Sequence, residues 1–195
     1  MNNVFKNSGC IKVKHFITQR AAENLFQYFQ HKVRRREWLA RPDLKGDPNY
    51  PADYFQYADP AAEVLLENSV EVVENHIGLK LEPTYSFIRV YAGGDELLPH
   101  VDREACEISV TLNIFCKDKP WPIFTKDKQN NVLKHILHPG EGLIYKGCEL
   151  KHWRNKLPEG QIIAQIMLHY VDKNGQNKDQ KFDKRIGIGF APDNE

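Results

Sequence analysis

The chain has 195 residues, 41% of them apolar and 27% charged, which is enough for one domain with a single sizeable core. Lysine and arginine number 27 against 26 aspartates and glutamates, so no global field draws the chain to nucleic acid or an anionic membrane. No apolar run is long enough to span a bilayer, and the polar start Met1-Asn2-Asn3 lacks the apolar core of a signal peptide.

The first predicted element is a helix from Thr18 to about Val33, with Ala22, Leu25, Phe26, Phe29 and Val33 on one stripe. The short basic run Arg34-Arg35-Arg36 reads as its solvated end. From Arg34 to Ala58 the pattern dissolves into prolines and aromatics, among them Trp38, Tyr50, Tyr54, Phe55 and Tyr57. A loop this long is either a lid over a site or aromatic packing over the helices. A second helix is better marked: Asp59 caps it, Pro60 suits its first turn and Gly78 ends it.

From Thr84 onward the texture changes to short β-rich runs: 85–91, 98–102, 108–115, 123–125, 132–137, 143–145, 150–154 and 161–171. Gly93-Gly94, Asn130-Asn131, Pro139-Gly140 and Pro158-Glu159-Gly160 supply turns between them. About eight short strands without intervening helices imply two antiparallel sheets, a jelly roll, with two or three helices bracing one sheet from outside. The expected division is helical support and the aromatic loop over 1–83, an all-β core over 84–171 and an extension over 172–195. Within the extension, the run from Arg185 to Phe190 is expected to return to the body.

Cys10, Cys106, Cys116 and Cys148 are scattered with no CxxC pair, which argues against a zinc knuckle and suits reduced thiols in the cytoplasm. The chemistry is concentrated in Leu98-Pro99-His100-Val101-Asp102. In a strand, side chains two apart share a face, so His100 and Asp102 point the same way. A third imidazole beside them gives two histidines and one carboxylate on one side of a metal, the facial arrangement of non-haem Fe(II) oxygenases. In a chain with eight histidines the HxD spacing is weak evidence by itself. Its context strengthens it: an apolar strand and a Gly-Gly turn precede it, and another strand follows.

Of the downstream histidines, His152 follows a glycine turn and a strand at a separation that suits the second and seventh strands of a jelly roll, and is the expected third ligand. His135 and His138 point to opposite faces, and His169 is a core or pocket histidine deep in a strand. His15, His31 and His76 belong to the helical layer, where no chemical role is expected.

Together, Arg89-Val90-Tyr91-Ala92-Gly93-Gly94, the His100–Asp102 motif, the 140–145 strand and His152 resemble the 2-oxoglutarate- and Fe(II)-dependent dioxygenases, in particular their small prolyl-4-hydroxylase-like branch. The resemblance covers about 87–170. It implies a double-stranded β-helix with Fe(II) on His100, Asp102 and His152, and 2-oxoglutarate and dioxygen as cosubstrates. Decarboxylation to succinate would then accompany hydroxylation of an unactivated C–H bond in an amino acid, a peptidyl residue such as proline, or a small metabolite. Related halogenases lack the carboxylate, so Asp102 favours hydroxylation.

One element departs from the family. Members carry a cation nine to eleven residues after the distal histidine to pair the cosubstrate's far carboxylate, and this chain has Gln161, Ile162 and Ile163 there. A buried carboxylate without a cation is costly. Arg154, two residues beyond His152 and on its face, is the foremost replacement, able to grip a carboxylate bidentately. Arg89 is second, sharing parity with Tyr91, whose hydroxyl matches a position that contacts the cosubstrate. Lys146 is third.

Ser109, Thr111 and Asn113 share one strand face, which lines either the pocket or solvent. Arg103 and Glu104, just past Asp102, suit a polar or charged substrate. No basic strip accompanies the site, which counts against nucleic-acid repair. Two other readings compete: a cupin-like isomerase or cosubstrate-free dioxygenase, whose sites favour the HxH spacing absent here, and a non-catalytic binding sandwich.

Overall fold

A computed structural model describes residues 3–34 and 54–190. The chain begins with helix α1 (Asn3–Ser8), strand β1 (Cys10–Val13), helix α2 (Gln19–Arg34) and strand β2 (Tyr54–Tyr57). Helices α3 (Pro60–Asn68) and α4 (Val70–Ile77) follow. Eight further strands complete the body: β3 (Leu81–Ala92), β4 (Leu97–His100), β5 (Ile108–Cys116), β6 (Ile123–Lys126), β7 (Val132–His135), β8 (Gly142–Lys146), β9 (Lys151–Arg154) and β10 (Ile162–Asp172). Short 3-10 segments occupy Glu104–Cys106 and Lys178–Lys184.

The strands form two antiparallel sheets, a larger one in the order β1-β8-β5-β10-β3-β2 and a smaller one in the order β4-β9-β6-β7. This is the expected jelly roll, with more strands than the eight anticipated. Strand parity decides what each face of the larger sheet does. Ile88, Val110, Leu112, Ile114 and Ile166 face the helices and bury against Ala22, Phe29, Leu66, Val73 and Ile77. Each large side chain so buried stabilises the fold by roughly 1.5–3 kcal/mol. The opposite parity carries Arg89, Tyr91, Thr111, Gln165, Met167 and His169 into a cleft that the smaller sheet also lines.

Asp59 caps α3 as expected, accepting a hydrogen bond from the Ala61 amide at 2.9 Å. The single helix anticipated over 60–77 is instead two, broken at Ser69, whose backbone ends one helix and begins the next. Gly78 ends α4 in the left-handed region at φ 73°, as expected of its sequence position. The sequence reading lacked α1, β1 and β2. These are short segments that exist by pairing or packing: β1 on β8 and β2 on β3.

The aromatic stretch resolves only in part. Tyr54–Tyr57 forms β2, while Trp38 and Tyr50 lie outside the described residues. The C-terminal run does return to the body through Arg185, which is buried against Glu63 at 2.8 Å, although Ile186 and Phe190 remain exposed. Among the described residues no helix is long and apolar enough to cross a membrane.

Candidate metal centre

Strands β4 and β9 pair so that His100 stands directly opposite His152, and Leu97 opposite Arg154. Asp102 lies two residues beyond the end of β4, so strand alternation alone does not aim it. Its amide donates to the Gly147 carbonyl at 2.9 Å, which folds it back toward the two imidazoles. His100 Nε2 is 3.5 Å and His152 Nε2 3.4 Å from the same Asp102 oxygen, Oδ1. One ligand atom from each of the three residues falls within 4.8 Å of the others. The two imidazole centroids are 4.3 Å apart.

Both rings are fixed by the backbone. His100 Nδ1 contacts the Leu98 carbonyl at 2.8 Å and His152 Nδ1 the Leu150 carbonyl at 2.9 Å. A carbonyl only accepts, so each Nδ1 carries a hydrogen and each Nε2 is the atom turned to Asp102. Burial opposes the charge on Asp102, but hydrogen bonds from His100 and His152 outweigh it and hold the carboxyl far below the usual range. Burial also lowers the His100 pKa, yet the bond to Asp102 and the Leu98 carbonyl prevail and raise it.

The other Asp102 oxygen is held separately. Ser109 Oγ lies 3.0 Å from Asp102 Oδ2 and 2.9 Å from His169 Nδ1. A hydroxyl has one proton, so His169 donates to Ser109, whose own hydrogen is shared between the carboxylate and the Cys106 carbonyl at 3.1 Å. Burial pushes the His169 pKa down to about 4, which keeps this ring neutral. Ser109, Thr111 and Asn113 are all buried, so their shared face is the inner one. Thr111 reaches the cleft, and Asn113 instead donates to the Leu137 carbonyl.

The cleft measures about 350 Å³ and contains His100, Asp102 and His152 together with Arg89, Tyr91, Arg103 and Arg154. Arg154 is 2% exposed; it donates to the Trp121 carbonyl and, at 3.5 Å, to Thr111 Oγ1. Among the described residues no carboxylate pairs with it, and burial pushes its pKa down to about 10. Arg89 is also buried and lies over the Tyr91 ring at 4.6 Å; Tyr91 in turn meets Trp121 edge-on at 4.9 Å. Lys146 is turned away, paired with Glu149. Arg103 lines the cleft, whereas Glu104 accepts a bond from Gln180. His135 sits elsewhere, bonded to Thr125 Oγ1 at 2.9 Å.

Three residues have roles that the sequence reading did not assign. His169 and Ser109 hold the carboxylate, and Gly147 makes room for it: a Cβ there would overlap the Cys106 carbonyl and come within 2.5 Å of Asp102 Oδ2. Parity with Gln165 hints at the inward aim of His169, but nothing local marks Gly147.

No protein-family model and no curated protein sequence matches the chain. Solved structures do match. A prolyl-4-hydroxylase from Pseudomonas putida superposes with a TM-score of 0.67 at 13% identity, covering 86% of this chain and 95% of that one. The non-haem α-ketoglutarate-dependent epimerase SnoN of nogalamycin biosynthesis gives 0.71 at 8% identity over 94% and 87%. EctD from S. alaskensis with 2-oxoglutarate and 5-hydroxyectoine gives 0.62 at 12% identity over 86% and 73%. The chain shares the fold of the 2-oxoglutarate- and Fe(II)-dependent oxygenases.

An oxygenase of this kind needs an iron ligand set with open positions and a cation for a dicarboxylate. The donor chemistry here fits both. Two imidazoles whose Nε2 atoms converge on one oxygen of an ionised carboxylate suit Fe(II), and a buried guanidinium without a carboxylate partner among the described residues suits an incoming anion.

Proposed function

We propose that this protein is a 2-oxoglutarate- and Fe(II)-dependent hydroxylase acting on an amino acid, a peptidyl residue such as proline, or a small metabolite. His100, Asp102 and His152 hold the iron, and Arg154 grips the far carboxylate of 2-oxoglutarate. Bound there, the iron and 2-oxoglutarate supply, with dioxygen, the power to oxidise an unactivated C–H bond, releasing succinate and carbon dioxide.

The chain's own residues hold and orient. The Leu98 and Leu150 carbonyls lock the ligand rings, and Ser109 and His169 fix the carboxylate. Tyr91 and Arg89 line the cleft, Tyr91 backed edge-on by Trp121, and they would flank the cosubstrate. Water is kept from Arg154 by its near-complete burial, which strengthens any ionic contact made there.

The observation that carries this reading is the convergence of both Nε2 atoms on one Asp102 oxygen in a cleft shared with an anion-seeking guanidinium. Anaerobic titration with Fe(II), followed by an assay of succinate formed from 2-oxoglutarate in air, tests it. His100→Ala and Asp102→Ala should each abolish iron-dependent succinate formation with the far-UV spectrum unchanged. Wild-type activity in either variant refutes the ligand assignment.

A further inference from the structure

Immediately after the carboxylate ligand comes Arg103, a cation at the mouth of the cleft with half of its side chain exposed. Its guanidinium is aimed by the Tyr85 ring, over which it lies at 4.6 Å. Both of its terminal nitrogens are engaged by Asp183, each at 2.7 Å, in the fork geometry by which arginine recognises carboxylates.

Asp183 arrives on an unusual piece of backbone. Phe182, Asp183 and Lys184 are three successive non-glycine residues with positive φ, at 56°, 57° and 63°. Each such residue costs on the order of 1 kcal/mol or more, so this turn persists only while its side-chain contacts hold it. Asp183 itself is held by the fork to Arg103 and by the Tyr57 hydroxyl at 2.6 Å from Oδ2, while the Phe182 carbonyl accepts from the Arg185 amide and Nε. The far end of the segment is anchored by Arg185, which is buried on Glu63 and on the Thr84 carbonyl. The Asp183 side chain can therefore leave Arg103 while Arg185 stays on Glu63 and keeps its bonds to the Phe182 carbonyl.

Charge in the cleft points the same way. Among the described residues three arginines, Arg89, Arg103 and Arg154, line it against the single carboxylate Asp102, which the proposed iron would engage. Arg154 contacts Thr111 deep in the barrel, whereas Arg103 lies at the outer end by Tyr85, so the two cations serve different positions.

We propose that Arg103 binds a carboxylate of the primary substrate, and that Asp183 is an internal stand-in displaced when that substrate enters. The inference rests on the oxygenase reading above and narrows it to substrates bearing a free carboxylate beside the carbon oxidised, such as free amino acids. The turn at 182–184 then reports occupancy, closing on Arg103 when the site is empty and yielding when an acid arrives.

The test uses the proteinogenic L-amino acids, each compared with its carboxamide, on protein loaded with Fe(II) and 2-oxoglutarate. Hydrogen exchange over 178–185 is read without oxygen, and succinate formation with it. At least one acid, and not its amide, should speed exchange over 178–185 and stimulate succinate release. For that acid Arg103→Gln should raise the apparent KM by about tenfold or more, the loss expected for a charge-assisted fork, with Arg103→Lys intermediate. Asp183→Asn should lower it severalfold and speed exchange over 178–184 even without ligand. Amides that match their acids, a panel in which no acid acts, or Asp183→Asn that weakens the response overturn the inference alone, provided the wild type still makes succinate from 2-oxoglutarate. A wild type that binds no iron and makes no succinate overturns the oxygenase reading itself.

Discussion

The Ser109 hydroxyl donates to Asp102 Oδ2 at 3.0 Å, leaving Oδ1 as the oxygen that both imidazoles face. Outer partners of this kind set how firmly a ligand is aimed, and their loss costs metal sites roughly 10–100-fold in affinity. Ser109→Ala should weaken anaerobic Fe(II) or Co(II) binding by about that factor, measured by calorimetric titration. Unchanged affinity would mean that the Asp102–Gly147 backbone bond alone aims the carboxylate.

Gly147→Ala should be more damaging. The new methyl would overlap the Cys106 carbonyl and sit 2.5 Å from Asp102 Oδ2 and 2.8 Å from Ser109 Oγ, so the carboxylate or the backbone must move. We expect loss of metal binding together with a stability loss of about 1–3 kcal/mol, read by chemical denaturation.

Arg154 separates binding from stability. Arg154→Met should raise the apparent KM for 2-oxoglutarate by about 30-fold or more, corresponding to roughly 2–5 kcal/mol for a buried charge pair broken from one side. The same variant, free of cosubstrate, should be as stable as the wild type or more so, because a desolvated cation has been replaced by an apolar chain. A lowered melting temperature in the ligand-free variant would assign Arg154 a structural role instead.

Acid should destabilise the protein before its carboxylates protonate. Burial holds His169 neutral with a pKa of about 4, and burial, followed by the charges of Lys12 and Arg154, depresses His135. In the unfolded chain these rings protonate near pH 6.5, so between about 6.5 and about 4 the unfolded state binds more protons and stability falls as pH falls. Melting temperature should drop from pH 7.5 to pH 5, and His135→Gln, remote from the metal centre, should shrink that drop.

Glu63 holds the C-terminal segment. It is buried and accepts from the Ser86 amide and hydroxyl on one oxygen, and from Arg185 and the Gly189 amide on the other. Glu63→Leu leaves Arg185 buried without its partner and should cost about 3–5 kcal/mol in denaturant unfolding.

The chain announces its barrel because the long strands of the larger sheet alternate, with mostly apolar residues toward the helices and mostly polar or aromatic ones toward the cleft. Ile166 beside Gln165, and Leu112 beside Thr111, show that division directly. The same alternation places Arg154 on the His152 side from the sequence alone. It fails where the partner is distant. Cys10–Val13 becomes a strand only against β8, and Tyr54–Tyr57 only against β3. Parity could not choose between pocket and solvent for Ser109, since that depends on what the opposite sheet covers. It also gave the wrong local reason for Asp102, which lies past the end of β4 and is turned inward by Gly147. Gly147 was invisible because its constraint is set by Asp102, Cys106 and Ser109, all from another stretch of chain.

The strand carrying His100 lies at one edge of the smaller sheet, with β9 as its hydrogen-bonded neighbour. An ion seated between His100 and His152 would therefore act as a rivet across a hem, joining the margin of the barrel to its interior. Stripping that ion should let the Leu97–His100 border fray before any other part of the smaller sheet loosens.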